Sequence, residues 1–467
     1  LQSATIGIIS IVDYPERWVS LLPKLVEKLQ SQDPVILIGI LKTADSIFNR
    51  FVGADRNDNL YRVIKYSLDG SQQPLLALYQ HLGTRVAASA SNGEQLKANL
   101  ECLRQVTDIL YSLNYQDLPE FFEDNMQVLM EEFQKYLTFS NPLVVDADEE
   151  TQPSVLDQLQ ASIVKVLSLY VSKDEEPFMP FLQAFSEKVW NLLMTCTAYP
   201  KHDILAVTSI KFLSMLVEKP MHKDLFKEDA ILREIVLKIV IPNLMFRESD
   251  EERFEDDPRE YIVTEVEGSD SESRRRCSQD LLKAMCRLFE EQTTTICSEH
   301  VGQMLSNYAK DQNAHWREKD AAIHLMMGIA IRRENSFVGV TEVSSGVSVV
   351  DFFQSQILPE LEDSNHGNKP VVKATALKYV SVFRNQFAKE HLVQLFKLVI
   401  SHLSSPIVVV HTFAAYTLEQ ILTTPETIDG KGKKIHSADL RPMLDPLFTG
   451  LFQIIDDTTR NENDNAM

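Results

Sequence analysis

The sequence predicts an all-α fold, an array of antiparallel helix pairs stacked side by side. Three observations carry that prediction. Apolar residues recur at three-to-four spacing in "LLPKLVEKLQ", "QLQASIVKVLSLYVS", "AILREIVLKIVIPNL", "SQDLLKAMCRLFEE" and "HLVQLFKLVISHL", so each closes one apolar face when wound as a helix. Alternating stretches are scarce, and 15 glycines in 467 residues leave few of the tight turns a sheet-rich chain needs. Finally, one kind of helix repeats: "AVTSIKFLSML", "DAAIHLMMGIA", "KATALKYVSVF" and "HTFAAYTLEQIL" each carry a small residue, Ser209, Ala322, Ala376 and Ala414, ahead of an apolar stripe.

Partner segments with L-x-x-L-type runs, such as "VVDFFQSQILPELED" and "LRPMLDPLFTGLFQII", accompany these helices. Two antiparallel helices per roughly 40 to 50 residues is the period of HEAT and armadillo arrays. A single pair of this length cannot bury its own apolar face, so neighbours must stack, and the expected form is an α-α superhelix, a HEAT-repeat solenoid running continuously over residues 1–467.

Taken in order, the chain opens with "LQSATIGIISIVDYPERW", which reads as the middle of an amphipathic helix and suggests that the array begins upstream. "DADEETQPS" (146–154) reads as a loop. A long acidic insertion follows at 247–273, then loops at "RRENSFVGVTEVSSGVS" (332–348) and "TTPETIDGKGKKIHSAD" (423–439). The last residues, 456–467, are polar enough to be disordered.

Composition narrows the function. Lys and Arg total 46 against 67 Asp and Glu, a net charge of −21, which repels phosphate backbones and anionic lipid and attracts basic proteins. Cys102, Cys196, Cys277, Cys286 and Cys297 contain no C-x-x-C pair, so the spacing suggests neither a disulfide framework nor a zinc site. No apolar run approaches the roughly 20 residues that span a bilayer. Phosphate-loop, nucleophile-elbow, H-E-x-x-H and EF-hand patterns are missing, so no catalytic, metal or cofactor-binding residues are assigned and the chain is read as a binding protein, not an enzyme. "DGKGKK" lacks the upstream Gly and the following Ser or Thr of a phosphate loop. His391, His402 and His411 read as surface or loop histidines, and Met326 with Met327 as core.

The insertion "FRESDEERFEDDPREYIVTEVEGSDSESRRR" asks for more than a solvated linker. Eight acids between Glu248 and Glu260 face only Arg253 and Arg259, yet Phe254, Tyr261, Ile262 and Val263 are embedded among them. Loops beyond 12 to 15 residues inside compact arrays tend to be functional, so this one is expected to dock. "SDSES" offers caps for a helix starting near Ser273, which puts Arg274, Arg275 and Arg276 in a first turn where the helix dipole disfavours cations. Acids of the insertion or of a partner are expected to offset them.

The insertion resembles the long mid-chain insertion of the importin-alpha exporters of the importin-beta superfamily. "LNYQDLPEFFEDNM", "HWREKDAAIHLM", "VFRNQFAKEHL" and "VVHTFAAYTLE" resemble the same family in the same order. The resemblance implies a monomeric nuclear export receptor that binds Ran-GTP and importin-alpha, meets nuclear pore proteins, shuttles between nucleus and cytoplasm, and touches neither nucleic acid nor membrane. It also implies a piece lacking the N-terminal homology region and the C-terminal repeats. Asp250, Glu251, Glu252, Glu255, Asp256 and Asp257 are then expected to face the inner side and contact Ran or importin-alpha, while Phe254, Tyr261, Arg274, Arg275 and Arg276 anchor the loop. The alternative from another class is a HEAT-repeat scaffold whose partners do not depend on a nucleotide.

Overall fold

The computed structural model describes residues 2–145, 149–173, 175–265, 272–335, 338–365, 367–427 and 431–456. Contacts divide the chain into two compact units, Leu1–Leu216 and Val217–Met467.

In the first unit, helices α1 (Gln2–Asp13), α3 (Pro34–Phe48), α5 (Gly93–Asn114) and α7 (Val155–Lys173) pack side by side as one layer. Helices α2 (Leu21–Lys28), α4 (Asp58–Ala88), α6 (Met126–Leu137) and α8 (Leu182–Leu193) form the other, and α9 (Asp203–Glu218) closes the unit in sequence. Short polar side chains start the helices: Asp33 accepts from the Val35 N–H at 2.8 Å, Asn57 from Leu60 at 2.9 Å and Asn92 from Gln95 at 3.2 Å. The core lies between the layers, where Leu37, Leu41, Leu100, Leu103 and Val106 are wholly buried.

The second unit repeats the plan. Its first layer comprises α10 (Asp229–Ile235) and α11 (Ile241–Leu244), then α15 (Glu290–Lys310), α17 (Val349–Phe352) with α18 (Leu358–Glu362), α20 (Lys389–Ser401) and α22 (Leu444–Ile455). Its second layer is α14 (Arg274–Leu288), α16 (Trp316–Ala330), α19 (Pro370–Phe383) and α21 (Val408–Thr423), each against the next. π-helical turns join α10 to α11 and α17 to α18, and in both cases a proline follows, Pro242 and Pro359. A proline supplies no N–H and crowds the carbonyl one turn back, and the wider turn accommodates both.

The small residues that marked the repeat all face the interior. Ala322, Ala376 and Ala414 lie in α16, α19 and α21, Ser209 lies in α9, and all four are wholly buried. Met326 and Met327 are core as expected.

Three expectations are corrected. Residues 332–348 are not all loop: β1 (Ile331–Asn335) and β2 (Gly339–Val343) form an antiparallel hairpin. Gly339 makes it possible, with φ +82 and a backbone so close to Arg384 that a Cβ would meet the guanidinium at 2.6 Å. His402 and His411 are buried rather than superficial, because each finds a carbonyl: Leu361 O at 2.9 Å from His402 Nε2, and Ser405 O at 3.1 Å from His411 Nδ1. The insertion between α11 and α14 is not a loop but forms α12 (Glu248–Asp256) and α13 (Pro258–Glu265). Residues 266–271 of the insertion and 457–467 of the expected disordered tail lie outside the described residues.

Candidate partner-binding element

Local chemistry explains why an acid-rich segment folds here. The Asp250 carboxylate accepts from the Arg247 backbone N–H at 3.1 Å and closes the start of α12. Both Arg247 and Arg253 add guanidinium bonds to it. Burial would push the Asp250 carboxyl up, but the Arg247 bonds and charge, with Arg275 nearby, hold it down to about 2. Asp257 accepts from the Glu260 N–H at 3.1 Å, and Pro258 stands at the first position of α13, where its missing N–H is not needed. Acids in the first turn of α12 also suit the positive end of the helix dipole.

The aromatic residues then fix the helical hairpin to the array. Phe246, Phe254 and Tyr261 are buried and meet edge to face, with centroids 6.3, 6.2 and 5.1 Å apart, and Trp316 of α16 completes the cluster 5.5 Å from Phe246. Arg275 lies 5.2 Å over the Phe246 ring.

Arg275 is the buried hub beneath the insertion. It donates to Asp320 Oδ2 at 3.0 Å and to His324 Nε2 at 3.1 Å, while the Thr375 hydroxyl donates to Asp320 Oδ1 at 2.6 Å. One polar chain therefore links α14, α16 and α19. Burial together with the charges of Arg275 and Lys378 pushes His324 well below its ordinary value, so the ring is neutral. The other ring nitrogen, Nδ1, lies 2.9 Å from Gln279 Nε2. At the end of α13, Glu265 pairs with Lys378 of α19 at 2.7 Å. Burial pushes the Glu265 carboxyl up, but Lys378 and Arg275 outweigh it and leave it below the ordinary range. Glu251 pairs with Arg317 of α16, and α13 packs on α21. The insertion thus lies across all four helices of the second layer.

This geometry separates the six acids singled out in the sequence. Asp250 and Glu251 are engaged within the chain, whereas Glu252, Glu255, Asp256 and Asp257 face solvent. Phe254 and Tyr261 are buried against the array. Of the three arginines, Arg274 and Arg275 are buried and Arg276 is exposed, and the carboxylate that pairs with Arg275 comes from α16 rather than from the insertion. Sequence reasoning missed Phe246, Glu265, Trp316, Asp320 and Lys378. The one available signal was the i, i+1, i+4 spacing of Tyr261, Ile262 and Glu265, which puts them on one side of α13. An open cleft of about 510 Å³ beside Glu265 is lined by Arg276, Lys283, Lys378, Arg384 and Tyr416, but Lys283 and Lys378 are matched by Glu334 and Glu265. The element presents four exposed carboxylates, Glu252, Glu255, Asp256 and Asp257, on a docked helical frame.

Stacked helix pairs carrying a docked insertion define an α-helical repeat protein, and the nuclear transport receptor Lph2 of S. cerevisiae shares that fold, with a TM-score of 0.64 at 15% identity over 99% of this chain and 47% of its own. The chain belongs to the Cse1 family, whose model matches residues 47–418. The structure described as the exportin Cse1 in its cargo-free, cytoplasmic state superposes with a TM-score of 0.90 at 35% identity, covering 97% of this chain and 47% of that one. Exportin-2 of Mus musculus and of Homo sapiens are each 37% identical over 465 residues, which is 100% of this chain and 48% of theirs. The chain spans about half the length of the curated relatives it matches.

Proposed function

We propose that this chain is part of a nuclear transport receptor that carries importin-alpha from nucleus to cytoplasm together with Ran-GTP. The observation that carries the reading is the Cse1-family match along 47–418, with Exportin-2 relatives aligned over the whole chain. The role is binding rather than catalysis. The receptor shuttles through the pore and meets pore proteins on the way. Within it, Glu252, Glu255, Asp256 and Asp257 contact Ran or importin-alpha, and Asp250 with Glu251 holds the insertion in the shape that presents them. An acid edge of this kind raises the association rate and sets orientation more than it adds affinity.

The test is a binding assay of the full-length receptor and of the 467-residue chain against Ran locked with GTP or loaded with GDP, each with and without importin-alpha. The reading expects the full-length receptor to form a ternary complex with the GTP form only. Equal binding of the two nucleotide forms would instead identify a scaffold.

A further inference from the structure

The four exposed acids can meet a partner only if α12 is rolled the right way about its own axis. On α12 and its N-cap, Arg247, Asp250, Glu251 and Phe254 recur three or four residues apart and turn toward the array, while Glu252, Glu255 and Asp256 lie exposed on the other side. Phe254 is 5% exposed and meets Phe246 and Tyr261, which settles where the helix sits. One contact locates a helix but does not by itself fix its roll. The Asp250 bonds add nothing to that, because Arg253 belongs to α12 itself and Arg247 is its N-cap.

A second contact stands one turn before Phe254. Glu251 reaches out of the insertion and pairs with Arg317 of α16. Arg317 is itself held in place: its guanidinium lies 4.4 Å over the ring of Trp316, and Trp316 is seated 5.5 Å from Phe246 in the aromatic cluster. A planar guanidinium stacked on a ring keeps one orientation and still offers N–H groups to a carboxylate. Both partners of the pair are 38% exposed, so the pair adds little to folding stability, but together with Phe254 it defines which side of α12 faces out.

The sign of the charge separates this role from a simple electrostatic one. Arg317 is a cation close to acids read above as contacts for a basic partner. If its charge were what mattered, removing it would strengthen the attraction and speed association. We propose, resting on that reading of the acids, that Arg317 is a positioning residue: through Glu251 it sets the roll of α12 and so aims Glu252, Glu255, Asp256 and Asp257 at the partner. Losing it slows association even though the surface becomes more acidic.

The test measures stopped-flow assembly of the full-length receptor with Ran-GTP and importin-alpha across ionic strength, for Arg317→Gln, for Glu251→Gln and for the two together. The single variants change the local charge in opposite directions, so a field effect would move their rates apart. Positioning expects both to slow assembly about fivefold, the order of change one half-exposed ion pair can carry, with the double variant no slower than either. Arg317→Gln should keep a salt dependence at least as steep as wild type, since every acid remains, and both should keep the wild-type thermal midpoint. Rates that move in opposite directions, wild-type rates in both, or effects that add in the double variant would each overturn the proposal. A parallel variant carrying Glu252→Gln, Glu255→Gln, Asp256→Asn and Asp257→Asn tells the two failures apart. If it assembles like wild type, the reading of the acids falls and takes this role with it; if it is slow while Arg317→Gln and Glu251→Gln are not, the positioning role alone falls.

Discussion

Arg275 of α14 donates to Asp320 of α16 at 3.0 Å, and their side chains are only 8% and 0% exposed. Removing one partner of a buried pair leaves the other charge without compensation, which costs about 3 to 5 kcal/mol. Arg275→Met should therefore lower the urea midpoint strongly. Arg275→Met with Asp320→Asn should recover part of the loss, because no isolated charge remains. Equal midpoints for wild type and Arg275→Met would show that the pair contributes nothing.

Phe254 touches Phe246 and Tyr261 and is 5% exposed, so Phe254→Ala removes the centre of the contact that docks the insertion. A buried Phe→Ala change costs about 3 to 5 kcal/mol, and here the loss should be local. Limited proteolysis should cut within α12 and α13 while the far-UV circular dichroism hardly changes. Wild-type resistance to cleavage would place the anchor elsewhere.

Neutralising the exposed acids should affect association, not folding. Single changes at Glu252, Glu255, Asp256 or Asp257 to the amide should do little, since exposed ion pairs are worth about 0 to 1 kcal/mol each. All four together, in the full-length receptor, should slow ternary assembly with Ran-GTP and importin-alpha and flatten its salt dependence. Stopped-flow rates across ionic strength read both. Unaltered rates and slopes would assign these acids to solvent.

Asp45 of α3 gives a pH-dependent prediction. Burial, reinforced by the Asp108 charge, pushes its carboxyl up to about 6, although Arg104 and Lys165 pull the other way. Its folded value lies above the unfolded one, so the folded state holds the proton more tightly. The ionised carboxylate therefore costs stability increasingly as pH rises from about 4 to about 6. Asp45→Asn should raise stability at pH 7 by about 1 to 3 kcal/mol and bring no gain below about pH 4. Denaturation at pH 7 and pH 4 measures both arms, and a gain of equal size at the two would refute the assignment.

The repeat was legible because the same physical demand recurs at each pair. Ala322, Ala376 and Ala414 are each wholly buried in second-layer helices that pack one against the next. α12 was hidden by its composition: six acids in the nine residues Glu248–Asp256 suggest a loop, whereas Asp250 closes the helix start by pairing with Arg247 and Arg253. The Arg275 partner was out of reach because Asp320 lies 45 residues on, inside a stretch that reads as apolar core. The hairpin depends on one glycine in a left-handed conformation, a requirement that a single "VGV" does not announce.

An array of stacked pairs is ordinarily a one-dimensional system in which each repeat feels only its neighbours and can melt by itself. α13 breaks that rule, because it is joined to α14 in sequence yet packs on α21, three helices further along the layer. The link closes a loop of mutual dependence around α14, α16, α19 and α21. Hydrogen exchange should find these four helices opening as one cooperative block, and Phe254→Ala should divide that block into separately fraying repeats.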